Sequence, residues 1–233
     1  MDFPELKTLL RAMASPERAA VNRSFFKTGP GEYSEGDLFL GIRVPNLRAL
    51  VKKADTVSLQ EALALLRSEW HEERFMALLL MERRYESGNE EVRGAIVKAY
   101  LANTRWVNNW DLVDASAPSI LGTWLLTRER AVLGDLVVSA NLWQRRIAIV
   151  STLTLIRSGE FRDTLHLTER LLGDPEDLMH KACGWMLREV GKKDREVLIP
   201  FLEKHATGMP RTMLRYAIER FPEEERHHWL ALR

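Results

Sequence analysis

The residues whose types and spacing best suit chemistry lie in Trp106 to Pro118, WVNNWDLVDASAP. On a helix, Trp110 and Asp114 are four residues apart and sit one above the other on a single face. A flat indole beside a carboxylate suits a ligand that is both planar and cationic. Two later segments are built the same way: Trp143-Gln144-Arg145-Arg146, and Lys181 to Arg188, which contains Trp185. Three such clusters on three separate helices are expected to wall a shared groove. Plainer readings stand beside this one. Asp114 also reads as a helix cap or half of a surface ion pair. Arg145 and Arg188 read equally as phosphate contacts or solvated arginines. Trp106, Trp124 and Trp229 read as core or rim residues, and Trp70 as either. Cys183 reads as a small buried hydrophobe rather than a nucleophile, because no histidine sits at a telling position beside it. His227 and His228, beside Glu224 and Glu225, point different ways on a helix and read as a solvated face, not a metal site.

The elements that must position these residues are helical. Glu72 to Glu86 puts Phe75, Leu78, Leu79 and Tyr85 on one apolar stripe, and Ile147 to Ile156 is apolar almost throughout and should be buried. Ser15-Pro16-Glu17 and Asp174-Pro175-Glu176 each place a capping residue before a first-turn proline and an acid, marking helix starts. Pro45, Pro200, Pro210 and Pro222 punctuate further starts. No alternating run bounded by a two-residue turn signals a strand. The one long irregular stretch, Thr28 to Val44, is rich in glycine and reads as a loop. Short helices in close succession pair into units of roughly 35–40 residues, the build of HEAT-like repeats that bury apolar faces on their neighbours. A compact multi-helix bundle is the competing architecture. With no linker in view, residues 1–233 read as one domain.

Charge and composition narrow the partners. The 233 residues carry a net charge of only +1, yet residues 93–157 hold 8 basic and 4 acidic side chains and residues 181–220 hold 9 and 5. Each window is thus +4, and these windows contain the tryptophan clusters. Local positive charge acts within a Debye length of roughly 10 Å, enough to attract phosphates. Lys181, Lys192 and Lys193 belong to this electrostatic footprint. No apolar run reaches the ~20 residues that span a bilayer. The N-terminus reads as a first helix, not a signal peptide. The single cysteine excludes an internal disulfide and fits a reducing cytoplasm.

Six segments in order resemble the AlkD-type DNA alkylation repair family, the HEAT-like-repeat DNA glycosylases. They are GPGEYSEGDLFLGIRVPNLR from Gly29, WHEERFMALLLM from Trp70, NWDLVD from Asn109, WQRRIAI from Trp143, KACGWMLREVGK from Lys181 and MPRTMLRYAIERFP from Met209. The resemblance implies an all-α curved solenoid with a concave basic groove. It implies that Trp110 and Asp114 are the catalytic pair, that Arg146 holds a backbone phosphate near the reacting nucleotide, and that Trp185 is a second groove-lining indole. Arg145, Lys181 and Arg188 would then add DNA contacts. The implied activity is hydrolysis of the glycosidic bond of purines alkylated at N3 or N7 in double-stranded DNA, with no base-flipping pocket, metal or cofactor, by a monomer that needs no membrane. A cationic alkylated base is already a good leaving group, so one carboxylate suffices where sugar hydrolases use two. Asp114 would stabilise the oxocarbenium-like sugar and orient water. Arg146, if close, would keep Asp114 ionised. Asn109 departs from the family, some members of which carry another Trp there. This bears on how much aromatic surface faces the lesion and leaves the Trp110–Asp114 pair intact. The alternative functions are a non-catalytic relative that binds damaged or branched DNA by shape, and a helical-repeat scaffold.

Overall fold

A computed structural model describes residues 1–232. Among these residues the chain is all-α: fourteen α-helices, three short 3-10 or π segments, no strand, and one isolated bridge between Leu38 and Trp70. It divides into two compact units, Met1–Ser116 and the remainder from Ala117. Each is described by itself.

The first unit contains α1 (Phe3–Ala12), α2 (Pro16–Phe25), α3 (Val44–Val51), α4 (Leu59–Leu66), α5 (His71–Ser87) and α6 (Glu90–Ala102), and it ends within α7 (Trp110–Ala117). Local chemistry sets the starts. The Ser15 side chain accepts from Arg18 N ahead of Pro16, as expected, and Ser58 and Glu61 form a reciprocal capping box on α4. Helix α5 is the hub, packed against α3, α4 and α6. The single apolar stripe expected of it is only part of the truth. Every residue from His71 to Met81 is buried, charged ones included. Ion pairs and hydrogen bonds make this tolerable. Glu73 pairs with Arg11 at 2.8 Å, Arg74 with Asp37 at 2.5 Å, and Glu72 serves the loop before α3. The Glu72 carboxylate accepts from the backbone N–H groups of Leu40, Gly41 and Ile42 at 2.8, 2.8 and 3.2 Å. Gly41 is required there. Its φ is +79°, and a Cβ would lie 2.3 Å from the Ser15 carbonyl oxygen at the start of α2.

The second unit contains α8 (Ala131–Val137), α9 (Leu142–Arg157), α10 (Arg162–Arg170), α11 (Asp177–Lys193), α12 (Arg195–His205), α13 (Arg211–Ala217) and α14 (Glu223–Ala231). Helix α9 packs on α11 and α11 on α13, while α8, α10 and α12 pack against the flanks of these. Stacking in chain order is how helical repeats bury their apolar faces. Ile147 to Ile156 is buried as expected, with Thr154 alone half-buried. Two expected starts are different. Pro200 lies inside α12, which begins five residues earlier under an Asp194 cap. Asp174 does not cap α11, whose N-cap is Glu176; its carboxylate accepts from Glu176 N and pairs with Arg145 instead. The other two prolines, Pro210 and Pro222, stand at the N-caps of α13 and α14. No helix among the described residues is long and apolar enough to cross a membrane.

Candidate functional site

Helix α7 has two sides. Leu112, Val113, Ser116 and Ala117 are buried, whereas Trp110, Asp111, Asp114 and Ala115 are half-buried. The helix period thus delivers Trp110 and Asp114 to the same accessible side. Asn109, just before it, is fully buried. Its Nδ2 donates to Ser34 Oγ at 2.7 Å and its Oδ1 accepts from Trp110 N at 2.8 Å. The departure noted at Asn109 therefore has a structural use: it ties the loop before α3 to the first residue of α7.

Trp110 is held by aromatic packing. Phe26 stacks on it with ring centroids 5.4 Å apart and planes at 27°. Phe25 meets it edge-on at 6.0 Å. Phe39 stacks on Phe26 at 5.1 Å, and on His71 at 4.6 Å. Offset and edge-to-face ring pairs of this kind contribute about 0.5–1.5 kcal/mol each beyond area burial.

His71 joins three segments. Its Nε2 lies 2.8 Å from Asp111 Oδ2 on α7, and its Nδ1 lies 3.3 Å from Asp37 Oδ2 in the loop. Asp37 also receives Arg74, and Asp111 Oδ1 accepts from Leu112 N at 2.8 Å. Burial by itself lowers the His71 pKa, but the Asp111 charge, its hydrogen bond and that of Asp37 outweigh burial and raise it to about 9. For Asp37, too, burial works to raise the pKa, but the His71 hydrogen bond and the Arg74 and His71 charges hold it below the usual value. The ring is thus an imidazolium at neutral pH with both N–H groups engaged, which leaves it no nitrogen with which to act as a base. A cavity of about 350 Å³ opens beside the pair, lined by Arg18, Asn22, Phe26, Gly41, Arg43, Glu72 and Phe75 among others. Deeper in the unit, burial first and the Asp114 charge later raise the Tyr100 phenol well above its ordinary value. Its OH lies 3.1 Å from Ser116 Oγ.

The second unit gathers the remaining expected residues on α9 and α11. Arg145 is committed within the fold: Nε and Nη2 donate to Asp174 at 2.6 and 3.2 Å, and Nη1 to the Ser139 and Ala140 carbonyls. It is neither solvated nor turned wholly to the surface. Arg146 is buried, and its Nη1 donates to Leu178 O at 2.7 Å in the first turn of α11. Lys181, Trp185 and Arg188 follow at spacings of four and three, half-buried along one stripe of α11. Lys181 pairs with Asp177 at 2.7 Å, and Arg188 with Glu219. Trp143 corrects the picture of three like clusters: it is buried in the core, so accessible indoles remain in two of them. Cys183 is a buried hydrophobe as read, its thiol pushed up by burial. Trp229 is a core residue. Trp106 and Trp124 sit at the rim with Arg105 and Arg128 over their rings, and Arg11 covers Trp70. No group of His, Cys, Asp and Glu among the described residues is arranged to hold a metal ion.

The sequence reading missed His71, Asp37 and the Phe25–Phe26–Phe39 packing around Trp110. A signal existed. His71-Glu72-Glu73-Arg74 opens a helix that then runs Phe75 to Met81 without a polar residue, so those charges could not all face water. Nothing in the sequence named their distant partners, which run from Ile42, 30 residues from Glu72, to Arg11, 62 residues from Glu73.

A family model described as DNA alkylation repair enzyme matches residues 6–221, and the chain belongs to that family. Among solved structures, the chain is similar to one described as a predicted DNA alkylation repair enzyme from Enterococcus faecalis. The TM-score is 0.73 at 21% identity, over 91% of this chain and 98% of that one. No curated protein matches.

Proposed function

We propose that this DNA alkylation repair family member is a DNA glycosylase that hydrolyses the glycosidic bond of cationic N3- or N7-alkylated purines in duplex DNA. The observation that supports this best is the accessible side of α7, where Trp110 and Asp114 lie together and Trp110 is fixed by Phe25 and Phe26. In this reading the indole face receives the sugar and the cationic base. The Asp114 carboxylate stabilises positive charge as it passes to the deoxyribose and orients the attacking water. The base leaves without a proton, so no second acid is needed. Arg146, aimed by its bond to Leu178 O, supplies charge for a backbone phosphate. The stripe of Lys181, Trp185 and Arg188 provides further DNA contacts. The protein acts as a monomer in this reading and uses no cofactor.

Asp114→Asn tests it. Release of free base from methylated duplex DNA should fall by about a hundredfold or more, the cost of removing a transition-state charge. Duplex affinity, read by fluorescence anisotropy, should stay near that of the unsubstituted protein. Unchanged base release would end the assignment. Duplex binding with no base release by the unsubstituted protein would point to a non-catalytic relative that recognises DNA by shape.

A further inference from the structure

The clamp under Trp110 has a property that its geometry alone dictates. Both ring nitrogens of His71 face carboxylates, Asp111 at 2.8 Å and Asp37 at 3.3 Å. An ionised carboxylate only accepts, so both contacts are hydrogen bonds only while the ring carries two protons. A neutral ring must turn a lone pair towards one of the two acids. It would also leave two carboxylates, Asp37 buried and Asp111 half-buried, with Arg74 as the paired cation. The other charged groups near the ring are Glu72, whose oxygens are taken by Leu40, Gly41 and Ile42, and Arg18 and Arg43 in the lining of the neighbouring cavity. None of these is placed to replace the missing proton. Asp111 follows Trp110 directly in the chain, and Phe39 and Phe26 carry the ring stack from His71 to Trp110. The side chain is thus coupled to Trp110 twice, through α7 and through the stack.

We infer that His71 is a positioning residue: as an imidazolium bridging Asp37 and Asp111 it sets the first turn of α7, and with it Trp110 and Asp114, in the working geometry. The inference rests on the proposed glycosylase reading for its consequence in rate, and on geometry alone for its consequence at Trp110. Base release should hold steady on the neutral side and decline as pH rises through about 9, where the second ring proton leaves. Positioning through contact, rather than contact with substrate, should spare DNA affinity.

Two substitutions and two readouts test it. His71→Gln can donate to only one of the two acids. It should lower the single-turnover rate of base release about tenfold or more, as a small misplacement of reacting groups does, with duplex affinity nearly unchanged and the alkaline decline gone. Asp111→Asn keeps the shape and removes the largest influence raising the ring's pKa, so the decline should move to lower pH. The second readout needs no catalysis. The Trp110 indole N–H resonance, assigned by its loss in Trp110→Phe, should shift with pH through the same midpoint, and should already sit at its high-pH position at neutral pH in His71→Gln. If both variants keep the unsubstituted rate, pH profile and indole resonance, the inference is overturned. If the indole behaves as expected while the unsubstituted protein releases no base, the positioning role stands and the glycosylase reading falls.

Discussion

At the scale of residues, the first unit is built around buried charges that each serve several partners. Glu72 is the clearest case. Three loop amides and Asn22 Nδ2 converge on its two oxygens, and the residue is almost fully buried. Hydrogen bonds to a charged group contribute roughly 1.5–3 kcal/mol each, and breaking up a buried set leaves its donors unsatisfied. Glu72→Gln keeps the volume but replaces one accepting oxygen with an NH2 that faces donors. We expect a loss of about 2–4 kcal/mol, read as a lower denaturation midpoint with an unchanged m-value. A midpoint equal to that of the unsubstituted protein would mean that the loop does not depend on this carboxylate. His71 makes a matching prediction in pH. Its folded pKa lies above the unfolded value of 6.5, so the protonated ring favours folding. The contribution is complete below about pH 6.5 and is lost as pH rises to about 9. Thermal midpoints should therefore decline over that window, and the decline should be shallower in His71→Gln. That Trp110 and Asp114 share one face was legible in the sequence because it needs only the helix period. His71 and Glu72 were not, because their partners are set by tertiary approach.

At the scale of elements, legibility follows the same division. Caps that act within four residues, such as Ser15 on α2, can be read directly. Asp174 has the cap signature but not the N-cap position, which Glu176 takes; its carboxylate accepts from Glu176 N and also holds Arg145, reaching across from α9. Pro200 has the look of a helix start, yet α12 carries it within its length. The stripe of Lys181, Trp185 and Arg188 depends on where α11 sits, and one glycine governs that. A Cβ on Gly184 would lie 2.5 Å from both the Met213 carbonyl oxygen and Tyr216 Cβ on α13. Neither atom is the end of a flexible side chain. Gly184→Ala must push α11 from α13, and overpacking of this kind costs about 1–3 kcal/mol. The stripe moves with the helix, so duplex affinity should fall along with stability. Gly173→Ala, where a Cβ would meet nothing within 4 Å, is the control and should change neither. If Gly184→Ala lost stability but bound duplex normally, the α11 stripe would not be a DNA contact surface.

At the scale of the whole molecule, the question is how a chain of net charge +1 engages a polyanion. The two basic windows carry 17 Lys and Arg side chains between them, 8 in residues 93–157 and 9 in residues 181–220. If all of them met phosphates, binding would be extremely salt-sensitive. The structure argues otherwise, because many are already occupied. Arg130 pairs with Glu160 and Asp163, Arg145 with Asp174, Arg188 with Glu219, Arg195 with Glu225, and Lys204 with Glu169. A cation that keeps its internal partner releases few counterions from DNA. We therefore expect a moderate electrostatic term: a log–log slope of duplex affinity against salt of roughly −3 to −5, as for about four or five neutralised phosphates. Anisotropy titrations from about 50 to 200 mM salt measure it directly. Lys181→Ala should make the slope shallower by about one if that side chain exchanges Asp177, one turn away on its own helix, for a phosphate, and Lys204→Ala, paired with Glu169 on another helix, should leave it unchanged. A slope near −10 would mean that the internal ion pairs open on binding. A slope near zero would remove the phosphate backbone as the partner and leave a helical-repeat scaffold as the better account.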